Sequence, residues 1–346
     1  MTEMTPGSRL AADVDGTVAV QNFALPLSAA LSPEAAAAQA SVLQQAGIMP
    51  DFSTAKDETQ FRAMIDGFRH GLDEGRLKPM LARMAPAFPV TIAPDVIAGV
   101  KVEVFTPPSS TDEERVLINL HGGGFMFGAG LGGRVESLPV ASAGKFRVIS
   151  VDYRQAYEHR YPSASEDVEA VYRGLLERYP PGKIGIYGGS AGGVLSAQAT
   201  AWILNKGLPA PGAIGVLGAG TGGSGDATYF SAIGCGRQPP MDLMGDIHKL
   251  KYGYFGGADP NDPCVSPHLA PLEFRAKFPP TLLITGTRAF DMSAALATHR
   301  ALCQAGVEAQ LHVFDGMGHC FYNEACLPES LDANDTIIRF FRKHLA

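Results

Sequence analysis

Ile184-Gly185-Ile186-Tyr187-Gly188-Gly189-Ser190-Ala191-Gly192-Gly193 is the stretch on which the reading of this chain turns. An apolar run of strand character ends in G-x-S-x-G (Gly188, Ser190, Gly192) and passes directly into a helix-like run over 191–204. That is the context of a nucleophile elbow, in which a serine on a sharp strand-to-helix turn is lifted above the sheet edge. Glycines are needed beside it because side chains there would collide with the neighbouring helix and strand. A helix beginning after Ser190 also aims free backbone N–H groups and partial positive charge at the turn. With 40 glycines in 346 residues, this motif alone is only moderately specific.

A second motif lies upstream. His121-Gly122-Gly123-Gly124-Phe125 follows the strand-like run 115–120. Three consecutive glycines let backbone N–H groups face a ligand closely, and two such donors can hold the oxyanion of a tetrahedral acyl intermediate. A phosphate nest is the competing use of such a loop, but no G-K-[ST] follows it. Oxyanion loop first and elbow second is the order expected of an acyl-transfer site.

At these motifs the chain resembles the hormone-sensitive-lipase-like (bacterial family IV) carboxylesterases of the α/β-hydrolase superfamily. The matching stretches are His121-Gly122-Gly123-Gly124, Val151-Asp152-Tyr153-Arg154-Gln155-Ala156-Tyr157-Glu158, Gly188-Gly189-Ser190-Ala191-Gly192-Gly193 and Gly318-His319. Gln155 and Tyr157 replace the Leu and Pro of Y-R-L-A-P-E, and Gly189 replaces the Asp of G-D-S-A-G-G. The resemblance implies an α/β-hydrolase fold, with a mostly parallel eight-stranded sheet flanked by helices. It implies a helical cap formed by residues 1–90 and by an insertion at about 220–272 of the core, 91–346. It implies an oxyanion hole from the N–H groups of Gly123, Gly124 and Ala191, short-chain acyl esters as substrates, no cofactor, and association as a homodimer. The Asp usual at position 189 braces nearby loops in the family, so bracing here must come from elsewhere. Tyr153, Glu158 and His121 are candidates for supporting the oxyanion loop.

The pattern of elements agrees. Strand candidates are 101–105, 115–120, 147–151, 184–187, 213–217, 281–285 and 309–314, several of them nearly continuous apolar runs, as for strands covered on both faces. Helical patterns alternate with them, which predicts a mostly parallel sheet. Ser163 and Glu166 read as a capping box, and Ser32-Pro33 as a helix start. Residues 58–75 repeat Phe61, Met64, Ile65 and Phe68 at helical spacing. The long Gly- and Pro-rich segment 220–272, with Met241-Asp242-Leu243-Met244, reads as a lid.

Composition bounds the rest. A net charge of −7 disfavours a nucleic-acid partner. Five cysteines (Cys235, Cys264, Cys303, Cys320, Cys326) at irregular spacing show neither a zinc pattern nor a disulfide framework, which predicts reduced thiols, a cytoplasmic setting and no metal. Glu3, Asp13 and Asp15 precede any apolar run, so no signal peptide is expected. The alanine-rich 35–38 is too short to be a membrane span.

Serine needs a base, and the order in this fold is Ser, acid, His. His319 follows the last strand candidate, on the loop that reaches the sheet edge where Ser190 sits. Two acids compete. Asp291 is the only carboxylate of the loop after 281–285, two residues beyond Ala289, where many relatives carry the acid. It could instead serve the start of the next helix. Asp315 lies on the histidine's own loop, four residues before His319. Cys320, adjacent to His319, is a poor rival to Ser190, since neighbouring residues rarely face one another. Phe125, Phe127, Phe290, Phe321 and Tyr322 flank the motifs and could line an apolar pocket or pack in the core. A ligand binder that has lost catalysis, an amidase and a lactonase remain alternatives on the same scaffold.

Overall fold

The computed structural model describes residues 24–44, 50–108, 114–223, 225–234 and 250–345. Glu3, Asp13, Asp15, Cys235, Met241–Met244 and His248 lie outside them. Three helices lead the chain: α1 (Pro33–Gln44), α2 (Glu58–Leu72) and α3 (Lys78–Met84), the last two joined by a π-helical turn, Asp73–Leu77. Eight strands follow: β1 (Thr91–Ile97), β2 (Val100–Thr106), β3 (Val116–Leu120), β4 (Arg147–Val151), β5 (Ile184–Gly189), β6 (Ala213–Leu217), β7 (Thr281–Arg288) and β8 (Ala309–Gly318). Between and after them run α4 (Leu131–Gly144), α5 (Ser163–Leu176), α6 (Ala191–Asn205), α7 (Asp226–Gly234), α8 (Leu272–Arg275), α9 (Met292–Gln304) and α10 (Pro328–His344).

The strands form one sheet in the order β1-β2-β4-β3-β5-β6-β7-β8. β2 pairs antiparallel with both β1 and β4, and every other pairing is parallel. The central strands β3, β5 and β6 are buried along their whole length, so their apolar runs serve two faces. Val116, Ile118 and Leu120 enter one core with Val168 and Val171 of α5 and Leu195 of α6. Leu117, between them, enters the opposite core with Val135 and Leu138 of α4 and Ile337 and Phe341 of α10.

Strand β1 went unread in the sequence. It is a largely exposed edge strand containing Pro94 and Asp95, so it shows neither a buried run nor a clean alternation. β7 and β8 extend past their apolar runs, through a register shift between Gly286 and Arg288. The capping box at Ser163 is corrected: Pro162 occupies the N-cap with no side-chain cap bond, and Glu166 pairs instead with Arg154. At α1 the Ser32 hydroxyl does accept from the Ala35 N–H, at 3.1 Å.

Topology places the site. From β3 the chain steps to β4 on one side, then returns to β5 on the other. The C-terminal ends of β3 and β5, paired Leu120↔Gly188, therefore flank a topological switch point, where α/β sheets open a crevice. The loop 121–128 leaves β3 there, and Ser190 leaves β5 beside it.

Candidate active site

Ser190 holds a backbone conformation that L residues avoid, φ 54° and ψ −121°. Close packing enforces it. A Cβ on Gly188 would lie 2.1 Å from the Leu120 carbonyl oxygen, and one on Gly192 would lie 1.7 Å from the same atom. The Ser190 N–H donates to the Leu217 carbonyl at 2.8 Å, which ties the turn to the end of β6. The hydroxyl thus stands at the N-terminus of α6, where unpaired N–H groups and the helix dipole favour negative charge.

His319 sits just beyond β8, with Nε2 2.9 Å from Ser190 Oγ. Its Nδ1 is 2.7 Å from Asp291 Oδ1. The other carboxylate oxygen, Oδ2, accepts from the Thr285 hydroxyl at 2.6 Å, so both oxygens of this fully buried group are engaged. Asp291 occupies the N-cap position of α9 but makes no side-chain cap bond there. Asp315 is exposed and accepts from the hydroxyls of Ser28 and Thr287, away from His319. Burial acts to lower the His319 pKa, but the Cys320 sulfur and the Asp291 carboxylate act the other way and hold it above its ordinary 6.5. Cys320 Sγ lies 3.5 Å from His319 Nε2 and accepts from the Tyr322 hydroxyl at 3.2 Å.

The glycine loop after β3 is wound through positive φ at Gly123 (122°) and Gly124 (60°), and a Cβ on Gly123 would lie 1.9 Å from the Phe127 carbonyl oxygen. Gly122 lies against the elbow, its would-be Cβ 3.0 Å from the Gly189 carbonyl oxygen and 3.3 Å from Ser190 Cβ. Beneath, the Tyr153 hydroxyl donates to the His121 carbonyl at 2.7 Å, and the two rings stack at 4.2 Å. Burial pushes the His121 imidazole down to about 4. Glu158 acts through Arg69 of α2, which holds it by two guanidinium bonds (2.6 and 2.9 Å) and also donates to the carbonyls of Met126 and Ala156.

Two supports carried no sequence signal. Arg69 looks like any polar residue on an amphipathic helix. Glu136 of α4 is buried, and its carboxylate accepts from the N–H of Gly122 (2.8 Å), the N–H of Gly189 (3.1 Å) and the Asn119 amide (3.2 Å).

The aromatic residues divide. Phe290 is half-buried with its ring 4.2 Å from that of His319. Phe125 is corrected from pocket wall to core: it is 2% exposed, stacked on Tyr254 and edge-on to Phe255. Phe321 likewise packs between Phe314 and Tyr322. Phe127 meets Phe68 of α2 at 4.8 Å. Among the described residues no group of His, Cys, Asp or Glu is placed to hold a metal ion, and no helix is long and apolar enough to cross a membrane.

A family model described as the alpha/beta hydrolase fold matches residues 117–323, and the chain belongs to that family. An acetyl-hydrolase of Streptomyces hygroscopicus is 29% identical over 66% of this chain and 75% of its own length. An esterase of Acinetobacter venetianus is 28% identical over 76% of this chain and 87% of its own. Among solved structures, esterase E25 superposes with a TM-score of 0.81 at 29% identity, over 95% of this chain and 99% of its own. An esterase of the bacterial hormone-sensitive lipase family gives 0.70 at 27% identity, over 91% and 99%. Within the α/β hydrolases, then, this is a carboxylesterase of the hormone-sensitive-lipase-like group.

Proposed function

We propose that the protein hydrolyses short-chain acyl esters through a Ser190–His319–Asp291 triad and an acyl-enzyme. One observation carries this reading: the continuous hydrogen-bonded line from Ser190 Oγ to His319 (2.9 Å) to Asp291 (2.7 Å). His319 takes the Ser190 proton as Oγ attacks the ester carbonyl. The N–H groups of Gly123, Gly124 and Ala191 hold the resulting oxyanion. His319 returns the proton to the leaving alcohol, then activates the water that frees the acid. Asp291 keeps Nδ1 protonated and stabilises the imidazolium. Helices α1–α3 and the described residues 220–223, 225–234 and 250–272 form the cap over this site, a reading supported by the ring contact of Phe61 with Tyr252 (6.0 Å). A binder without catalysis would not require the strained Ser190 backbone or an oriented base.

The test is hydrolysis of p-nitrophenyl acetate and butyrate by wild type and by variants checked for folding. Ser190→Ala abolishes turnover. Asp291→Asn, which mis-sets the histidine tautomer, lowers kcat by roughly 10⁴-fold. Asp315→Asn leaves kcat unchanged. An active Ser190→Ala protein, or damage from Asp315→Asn in place of Asp291→Asn, refutes the assignment.

A further inference from the structure

The two halves of the proposed oxyanion hole come from different strands. Gly123 and Gly124 leave β3, whereas Ala191 leaves β5. Their relative position must hold to a fraction of an ångström, because donors stabilise an oxyanion only at about 2.7–3.1 Å. One side chain bridges the two. Glu136 Oε1 accepts from Gly122, the residue before Gly123, and Oε2 accepts from Gly189, the residue before Ser190. Oε2 is held by the Asn119 side-chain amide nitrogen as well, and the Asn119 side-chain oxygen, Oδ1, accepts from the Ser150 hydroxyl at 3.0 Å. Burial pushes the Glu136 carboxyl up to about 7 against the pull of these donors. A buried carboxylate costs stability unless it is fully hydrogen-bonded. Its placement is therefore a positional device.

Its location is also telling. A Cβ built on Gly189 would meet Glu136 Oε1 at 3.0 Å, Glu136 Cδ at 3.2 Å and the Tyr322 hydroxyl at 2.9 Å. The space beside position 189 is thus filled by the Glu136 carboxylate delivered from α4 and by the Tyr322 hydroxyl, and a side chain at 189 would have to push them aside. We infer that Glu136 is the positioning residue that locks the oxyanion loop to the nucleophile turn, supplying from α4 the bracing carboxylate that the chain lacks at position 189. The inference rests on the serine-esterase reading above.

The experiment measures kcat, KM and thermal stability on p-nitrophenyl acetate for wild type, Ser190→Ala, Glu136→Ala, Glu136→Gln, Gly189→Asp and Glu136→Ala/Gly189→Asp. Turnover by wild type that Ser190→Ala abolishes tests the esterase reading by itself. If Glu136 positions the hole, Glu136→Ala lowers kcat by roughly 10- to 100-fold, short of the loss of a whole oxyanion donor, with little change in KM. Glu136→Gln falls between, because its amide nitrogen must face one of the two N–H donors. Gly189→Asp is impaired in the presence of Glu136, and the double variant recovers most of the kcat lost in Glu136→Ala. Wild-type kcat in both single Glu136 variants overturns the assignment. So does a double variant no better than Glu136→Ala, or a loss confined to KM. Should Glu136→Ala fail to fold, Glu136→Gln and the double variant decide.

Discussion

At the scale of single residues, His319 is set by its neighbours. In the proposed mechanism the imidazole must be neutral to take the serine proton, so kcat/KM is expected to rise with pH through the His319 pKa of the free enzyme. That pKa is held above 6.5 by the Cys320 sulfur and by Asp291, against burial. Removing a cause that raises it must lower it. Cys320→Ala is therefore expected to move the acid limb of the kcat/KM profile to lower pH, with Ser190 and Asp291 untouched. A limb that stays in place, or moves up, would show that the sulfur does not act on the base. The sequence marked Cys320 only as a weak rival nucleophile. Its contact with Nε2 depends on the left-handed backbone at position 320 (φ 54°), which no local pattern announced.

Among elements, two contacts decide the geometry. The first is strand against helix at the elbow. Gly192 lies so close to the end of β3 that a methyl group would sit 1.7 Å from the Leu120 oxygen and 2.8 Å from the His121 oxygen. Backbone cannot yield as a side chain can, so Gly192→Ala should destabilise by at least the ~1–3 kcal/mol of ordinary overpacking. Urea unfolding reads this directly, and a change below half a kilocalorie would contradict the packing argument. The second contact is α2 against the proposed oxyanion loop through Arg69, whose guanidinium bonds three separate points of that loop and its neighbour. Arg69→Ala should speed amide hydrogen exchange across 121–127 and lower kcat by up to about 10²-fold, the scale of a misplaced catalytic group. Unchanged exchange with unchanged kcat would reduce Arg69 to a surface anchor of α2.

For the whole molecule, two buried groups beside the site oppose one another in their pH dependence. His121 is pushed from 6.5 down to about 4, so the folded state binds its proton later than the unfolded chain does. Its contribution is present above about pH 6.5 and is lost as pH falls toward 4, on the order of 3 kcal/mol in full. Glu136 is raised from 4.5 to about 7, so the folded state binds that proton first and gains stability as pH falls from 7 to 4.5. Across the overlap the two largely cancel. Glu136→Gln removes one term, so its melting temperature should drop on acidification more steeply than that of wild type. His121→Gln should do the reverse. Parallel melting curves against pH for all three proteins would reject both assignments.

The sequence by itself determined the parallel core, and it named the candidates for nucleophile, oxyanion loop and base at the ends of β3, β5 and β8. Each is written locally: glycines where backbone must approach backbone, apolar runs where strands are covered twice, a histidine just past the last strand. It also fixed the candidate acids, but not the choice between them. Asp291 and Asp315 are both near in sequence order, and only the folding of the β7 and β8 loops turned one inward to His319 and the other out to Ser28 and Thr287. The edge strand β1, the Arg69 clamp and the Glu136 bridge were likewise decided by tertiary structure. A carboxylate on α4 bracing two loops 67 positions apart, at Gly122 and Gly189, leaves no periodicity and no motif. Its meaning arises only when the sheet brings β3 and β5 side by side.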